Sequence, residues 1–397
     1  MIRSWKVPLG LLSTSQAVSQ SISVFIMTLS SLAGAYLSPD SALATIPIAA
    51  VVLGTLIGLF PLARWMAWKG RRSGFRLGIG LGLFGALLSM FGLSTRSIWV
   101  FSIGHLFIGL QQGAFQYLRF TASEIVPESH RSRGISLVMA GGVFAAFLGP
   151  WLAYSSRNLG IELNFGLAYG PLVALYIILV LIFAFMPSLN PTTKDKTETV
   201  FNRAARPLWD IIRQPAYLQA LLGSAVGYAL MILLMTATPL AMNHAGHSSQ
   251  EISWIIQWHV LGMFVPSFFT GSLIKRFGHR PILALGIIAI GVDILAALFL
   301  QGIWSFWTSL LLLGIGWNFL YIGSTSRLTT CYRPEEKEKA QACHDIIVFS
   351  VNTLATYSAA SLLTKLGWLQ MHVWVLPLLA LTAIGIMLPH PKKQPRL

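Results

Sequence analysis

The chain has 397 residues, 55% of them hydrophobic and only 10% charged, with a mean hydropathy of +0.67 and a formal charge of +15. That balance excludes a soluble globular enzyme and a disordered protein. Cys331 and Cys343, the only two cysteines, cannot staple a small secreted domain. The basic residues are dispersed between apolar stretches, which is the pattern of a membrane protein rather than a nucleic-acid binder.

Apolar stretches of about 20 residues, each long enough to cross a bilayer as a helix, recur along the chain. In order they cover 12–37, 42–63, 74–93, 97–121, 134–156, 165–187, 216–241, 252–273, 280–300, 303–326, 341–364 and 368–388, which predicts an all-α integral membrane protein of twelve spans. The first stretch is too long and too polar for a cleaved signal peptide. With the N-terminus in the cytoplasm, every one of the 28 Lys and Arg residues except Arg96, Arg157 and Lys365 falls on the inner side. The positive-inside rule therefore places both termini in the cytoplasm of a bacterial inner membrane.

The polar stretch 188–215 divides the spans into an N-terminal half, 1–187, and a C-terminal half, 216–397. The halves are related. ARWMAWKGRR follows span 2 and GSLIKRFGHR follows span 8, aligning Gly70 with Gly278, and Pro127-Glu128 aligns with Pro334-Glu335 at nearly the same offset. These loops resemble the GxLADRxGRK signature of the major facilitator superfamily, through Gly271, Ser272, Leu273, Arg276, Gly278 and Arg280 in one half and Gly70 and Arg71 in the other. The resemblance implies two six-helix pseudo-repeats, alternating access about a midplane site and an inner gate at these loops. The signature's acidic residue is replaced by Lys275 and by Ala67, so the gate is expected to be built differently.

Spans 7 and 8 carry the most specific chemistry. Met231 and Met235 share a helix face, as do His259 and Met263. Thioethers and an imidazole suit a soft ion, above all Cu(I), while methionine is also a common apolar filler and a buried histidine a common hydrogen-bonded packing residue. Embedded in MTATPLAM and IQWHVLGMF, these pairs resemble the CcoA-like branch, which contains copper importers and riboflavin importers. The resemblance implies Met231, Met235, His259 and Met263 as copper positions, with copper as substrate rather than a permanently bound cofactor. Met242, His244 and His247, in the outer loop, are candidates for capturing metal at the mouth.

Other polar residues within spans are candidate cavity walls: Gln16 and Gln20 on helix 1, Gln112 and Gln116 on helix 4, Asn318 and Tyr321 on helix 10. Arg119 is placed at the inner end of helix 4, snorkelling to the interface or pairing with Glu124. Asp293 is the clearest carboxylate inside a span and is read as a packing residue, while His344 and Asp345 are read as solvated. The sequence carries no phosphate loop, nucleophile elbow or zinc motif, so no enzyme is expected. The reading is a secondary transporter importing copper, expected as a monomer in the lipid bilayer with no nucleic-acid partner. Its alternative is an importer of riboflavin or another small organic solute, or a drug-efflux pump, with Trp254, Trp258, Trp317 and Tyr321 as stacking surface and no metal. A receptor on a transporter scaffold would need larger loops than these.

Overall fold

Hydrocarbon offers no hydrogen bonds, so a lipid-exposed chain must satisfy its backbone within each segment. The computed structural model obeys this: among the described residues (5–37, 46–162, 165–187, 189 and 205–387) all the regular structure is helical. The linker expected at 188–215 lies outside the described residues at 188 and 190–204.

The helices are α1 (Lys6–Leu37), α2 (Ile46–Lys69), α3 (Arg71–Ser94), α4 (Ile98–Phe115), α5 (Leu118–Ile125), α6 (Arg131–Ala140), α7 (Gly142–Glu162) and α8 (Gly170–Phe185). After the linker come α9 (Leu208–Ile212), α10 (Pro215–His244), α11 (Ser249–Phe264), α12 (Ser267–Phe277), α13 (His279–Phe299), α14 (Gly302–Leu328) and α15 (Lys337–Met387). Several expected spans are built from two helices meeting at a break, such as α11 and α12 at Pro266, whose ring nitrogen has no proton to donate. Gly367, at φ 76, divides α15 into two, where the sequence predicts separate spans. Ten of the described helical stretches are long and apolar enough to cross a membrane. Within α1, Ser13, Thr14, Ser15, Gln16, Ser19 and Gln20 crowd one part of the helix.

The chain forms two compact units, 1–202 with 341–346, and 203–340 with 347–397. In the first, α4 is pressed against α2 at a pair of glycines. A Cβ on Gly54 would collide with the Leu106 carbonyl oxygen, and one on Gly109 with the Val51 carbonyl oxygen. In the second, α14 meets α11 in the same way. A Cβ on Gly262 would sit 2.7 Å from the Leu311 carbonyl oxygen, and one on Gly314 2.5 Å from that of His259. Small residues permit this backbone approach, and dispersion across it binds helices where lipid removes any hydrophobic drive. Gly70 and Gly278 adopt the same positive φ of 85° between consecutive helices, a conformation strained for other residues.

The inner end of the second unit is tied by Glu336, whose side chain is wholly buried and pairs with Arg206 at 2.6 Å. It also accepts from the backbone N–H of Arg333 and Arg206, both at 3.0 Å. These donors, Arg206 foremost, hold its carboxyl down at about 2, and the carboxylate in turn raises the Arg206 guanidinium.

Two outcomes are expected. Gly109→Val should lower the detergent melting temperature, as overpacking of roughly 1–3 kcal/mol does, while Gly80→Ala, whose added Cβ meets nothing within 4 Å, should not. Glu336→Gln should destabilise by about 2 kcal/mol at neutral pH, the loss of charge-assisted hydrogen bonds. Because the folded-state value is depressed, the wild-type advantage is full above the unfolded carboxyl's value and fades as pH falls towards about 2. Melting curves of both proteins across that acid range check the sign.

Candidate functional site

In the first unit the charged residues form pairs inside the protein. Arg71, at the start of α3, is 5% exposed. It donates to Glu124 at 2.7 Å and to the Gln341 side-chain oxygen at 2.7 Å. Arg119 donates to Asp345 at 2.6 Å, with the two side chains 3% and 0% exposed, and to the Gln116 side-chain oxygen at 3.3 Å. His344 lies 2.8 Å from the same Asp345 oxygen through Nδ1. Three expectations change here. Arg119 pairs with Asp345 instead of snorkelling, and Glu124 pairs with Arg71. Asp345 and His344 are both fully buried rather than solvated. A guanidinium in hydrocarbon requires a carboxylate in contact, and α15 supplies one from far along the sequence.

The remaining first-unit candidates differ in exposure. Gln16 is buried; Gln20, Gln112 and Gln116 are part-buried. The residue that connects helices is their unpredicted neighbour Gln111, which donates to Ser19 at 3.2 Å and accepts from the Tyr176 hydroxyl at 3.0 Å. His105 is enclosed by Ser30, Ser89, Tyr169 and the Phe101 carbonyl and serves packing.

In the second unit Met231, His259 and Met263 are buried and Met235 is part-buried. His259 is held by α14: its Nδ1–H donates to the Leu310 carbonyl at 2.7 Å. That bond fixes the tautomer and leaves the buried Nε2 an acceptor without a partner. Below it Asn318 is fully engaged between helices. Its amide nitrogen donates to the Met263 carbonyl and the Ser267 hydroxyl at 2.6 Å each, and its oxygen accepts from Thr270 at 2.7 Å. The structure thus places Asn318 in a helix-to-helix pin rather than on an open wall.

Beside this pin lies an aromatic cluster. Trp317 and Tyr321 stack with ring centroids 5.0 Å apart and planes 17° apart. Tyr228 of α10 stands edge-on to both, at 5.5 and 5.2 Å, and Phe264 and Phe349 complete the box. Tyr228 is its part-exposed member. Trp254 and Trp258 form a separate group with Trp307 towards the outer end and are over a third exposed, the character of an interfacial belt.

The proposed capture residues differ in setting: Met242 is fully buried, His244 is exposed, and His247 lies against Phe306 and 3.7 Å from Glu251. Of the loop residues, Gly70 and Gly278 carry the turns described above, Gly271 is buried, Arg276 is exposed over the Phe277 ring, and Arg280 is part-buried. Both cysteines are free. Burial pushes the Cys331 thiol up to about 11, and it donates to the Arg327 carbonyl at 3.4 Å, so it offers no thiolate for metal at neutral pH.

Two overlapping segments, 11–240 and 220–397, each match the sequence model of the Major Facilitator Superfamily. The chain belongs to this superfamily. It is a multi-pass membrane transporter of small molecules and not an enzyme. It is 35% identical over 378 residues, 95% of its length and 94% of the relative's, to the riboflavin transporter RfnT of Brucella anthropi. It is 25% identical to the uncharacterized MFS-type transporter YddS of Bacillus subtilis, over 77% of this chain and 73% of that one. Among solved structures it superposes on the fucose:proton symporter FucP of E. coli with a TM-score of 0.73 at 16% identity, covering 97% of this chain and 98% of that one. The human organic anion transporter MFSD10 gives 0.74 at 15% identity, covering 97% and 100%. These likenesses carry the all-helical fold. The copper reading draws no support from the comparisons, which favour its organic-solute alternative.

Asp345→Ala should strand the Arg119 charge and destabilise the protein by about 3–5 kcal/mol. Combining Asp345→Asn with Arg119→Gln should cost less than the two single changes summed, and a double-mutant cycle in detergent melts reads the coupling.

Proposed function

We propose that this transporter imports riboflavin, or a solute with the same flat, hydrogen-bonding heteroaromatic ring, across the bacterial inner membrane, with both termini cytoplasmic and the two six-helix halves alternating access. The observation that carries the reading is the 35% identity across 95% of the chain to a riboflavin transporter. The aromatic box supports it, since Tyr228, its part-exposed member, is an aromatic surface for a fused ring, backed by the buried Trp317 and Tyr321. The acceptor at His259 Nε2 supports it too, because a heteroaromatic ring that carries an N–H can donate there. Gln16, Gln20, Gln112 and Gln116 remain candidate hydrogen-bonding walls, and the loop residues Gly70, Arg71, Gly271, Arg276, Gly278 and Arg280 candidate gating elements. In this reading Met231, Met235 and Met263 shape an adaptable apolar surface and hold no metal.

The test is uptake of labelled riboflavin into cells that cannot make it, with Cu(I) uptake under reducing conditions in parallel. Riboflavin should enter with the wild type. Tyr228→Leu should cut uptake about tenfold, since losing one stacked ring costs about 1–3 kcal/mol. Riboflavin at background, with copper entering the wild type and failing in both Met235→Ala and His259→Ala at equal membrane levels, would overturn the reading.

A further inference from the structure

A second polar cluster lies in the second unit, away from the aromatic box. Asp293 of α13 is fully buried. Its Oδ1 accepts from the Ser309 hydroxyl of α14 and lies 3.8 Å from Nε2 of His372 in α15. Its Oδ2 is buried without a partner. His372 is also fully buried, and its Nδ1 lies 2.9 Å from the Trp368 carbonyl.

The geometry sets a proton count. A carbonyl only accepts, so His372 Nδ1 carries the hydrogen, and in the neutral ring Nε2 is a lone pair. The Ser309 hydroxyl has one hydrogen and touches two acceptors, Asp293 Oδ1 and His372 Nε2, the latter at 3.4 Å. One of the two acceptors therefore goes without a hydrogen. An ionised Asp293 beside a neutral His372 would be a naked charge. Among the described residues the imidazole is the only ion-pairing group within 4 Å of it. The other groups packed around the cluster are uncharged: Ser305, Ser309 and Phe306 from α14, and Trp368 from α15. Burying an unpaired charge in a membrane interior is among the costliest arrangements available. One added proton resolves it, either on Asp293 or on His372 as an imidazolium facing the carboxylate.

We propose that Asp293 and His372 form a site that binds one proton within the second unit and couples its movement to transport. The proton arrives from water on the outer side and is held by the pair while the cluster stays dry. It leaves to water on the inner side when the transport cycle hydrates the pair. The proposal rests on the chain being a secondary transporter; it uses riboflavin only as the cargo by which coupling is read.

The test has a cargo-free arm and a transport arm. Asp293→Asn keeps the shape and supplies N–H donors to His372, so it should fold; His372→Gln is the second variant. In the cargo-free arm, a pH-indicator dye counts protons taken up by purified protein after an acid jump. Jumped from alkaline pH, the wild type should bind one more than Asp293→Asn. Trp368, stacked on His372 at 4.3 Å, should show a pH-dependent emission step that Trp368→Phe removes and His372→Gln abolishes. In the transport arm, Asp293→Asn vesicles should lose gradient-driven accumulation. The loss is up to about fifty-fold at ~100 mV, the ratio that one proton charge sustains, with riboflavin counterflow retained. Equal proton counts in wild type and Asp293→Asn would overturn the proposal, as would wild-type accumulation by Asp293→Asn. A wild type without riboflavin movement in either mode would refute the cargo reading, while the proton count still decides the site.

Discussion

A charge inside a bilayer must be answered by an opposite charge in contact, because no water is there to solvate it. This constraint organises the chain's buried polar residues. Arg71 takes Glu124, Arg119 takes Asp345 and Arg206 takes Glu336. Five of the six lie at helix ends or the loops that join them, and Asp345 lies just over two turns into α15. The pairs therefore fix helix ends without leaving a net buried charge, and the excess of Lys and Arg stays available to orient the protein. Arg71 shows how a loop signature can keep its fold while losing its acidic residue. With Ala67 at that position, the guanidinium finds its carboxylate on α5 instead.

A second constraint is backbone proximity. Lipid is as apolar as leucine, so helices associate through close contact and shared hydrogen bonds. α4 and α14 occupy equivalent places in their units, and each meets its neighbour at paired glycines that tolerate no Cβ. Asn318 adds polar bonds to one such seam, through the Met263 carbonyl, Ser267 and Thr270. Rigid seams of this kind let a six-helix unit hold an aromatic box in a fixed shape.

Much of the architecture was legible because it depends on local pattern. Span length follows from hydropathy, and the matching turns at Gly70 and Gly278, which share the same positive φ, from the similarity of their two loops. The ion pairs were not legible. Arg119 and Asp345 are 226 residues apart, and nothing near either residue indicates the other. Gln111 was passed over for Gln112 because adjacent glutamines differ only in which helix face they occupy. The helical phase that puts Gln111 against Ser19 and Tyr176 is a tertiary fact.

The methionine pairs show where such reading stops. A four-residue spacing places two side chains on one face but does not say what that face meets. The His259 ring is anchored through Nδ1 to Leu310 of α14. The same anchoring bond would orient an imidazole for a metal or for a donor on an organic ring, so the histidine alone does not choose between them. The surroundings weigh on that choice. A soft-ion site needs several sulfur or nitrogen donors converging at bonding distance, whereas a flat solute needs broad aromatic faces and a few directional groups. In the proposed reading the part-exposed Tyr228, edge-on to the stacked Trp317 and Tyr321, presents the second kind of surface. In that same reading the methionines would fit a pocket wall to a large ring through their flexible thioethers, a role that needs their apolar bulk more than their sulfur lone pairs.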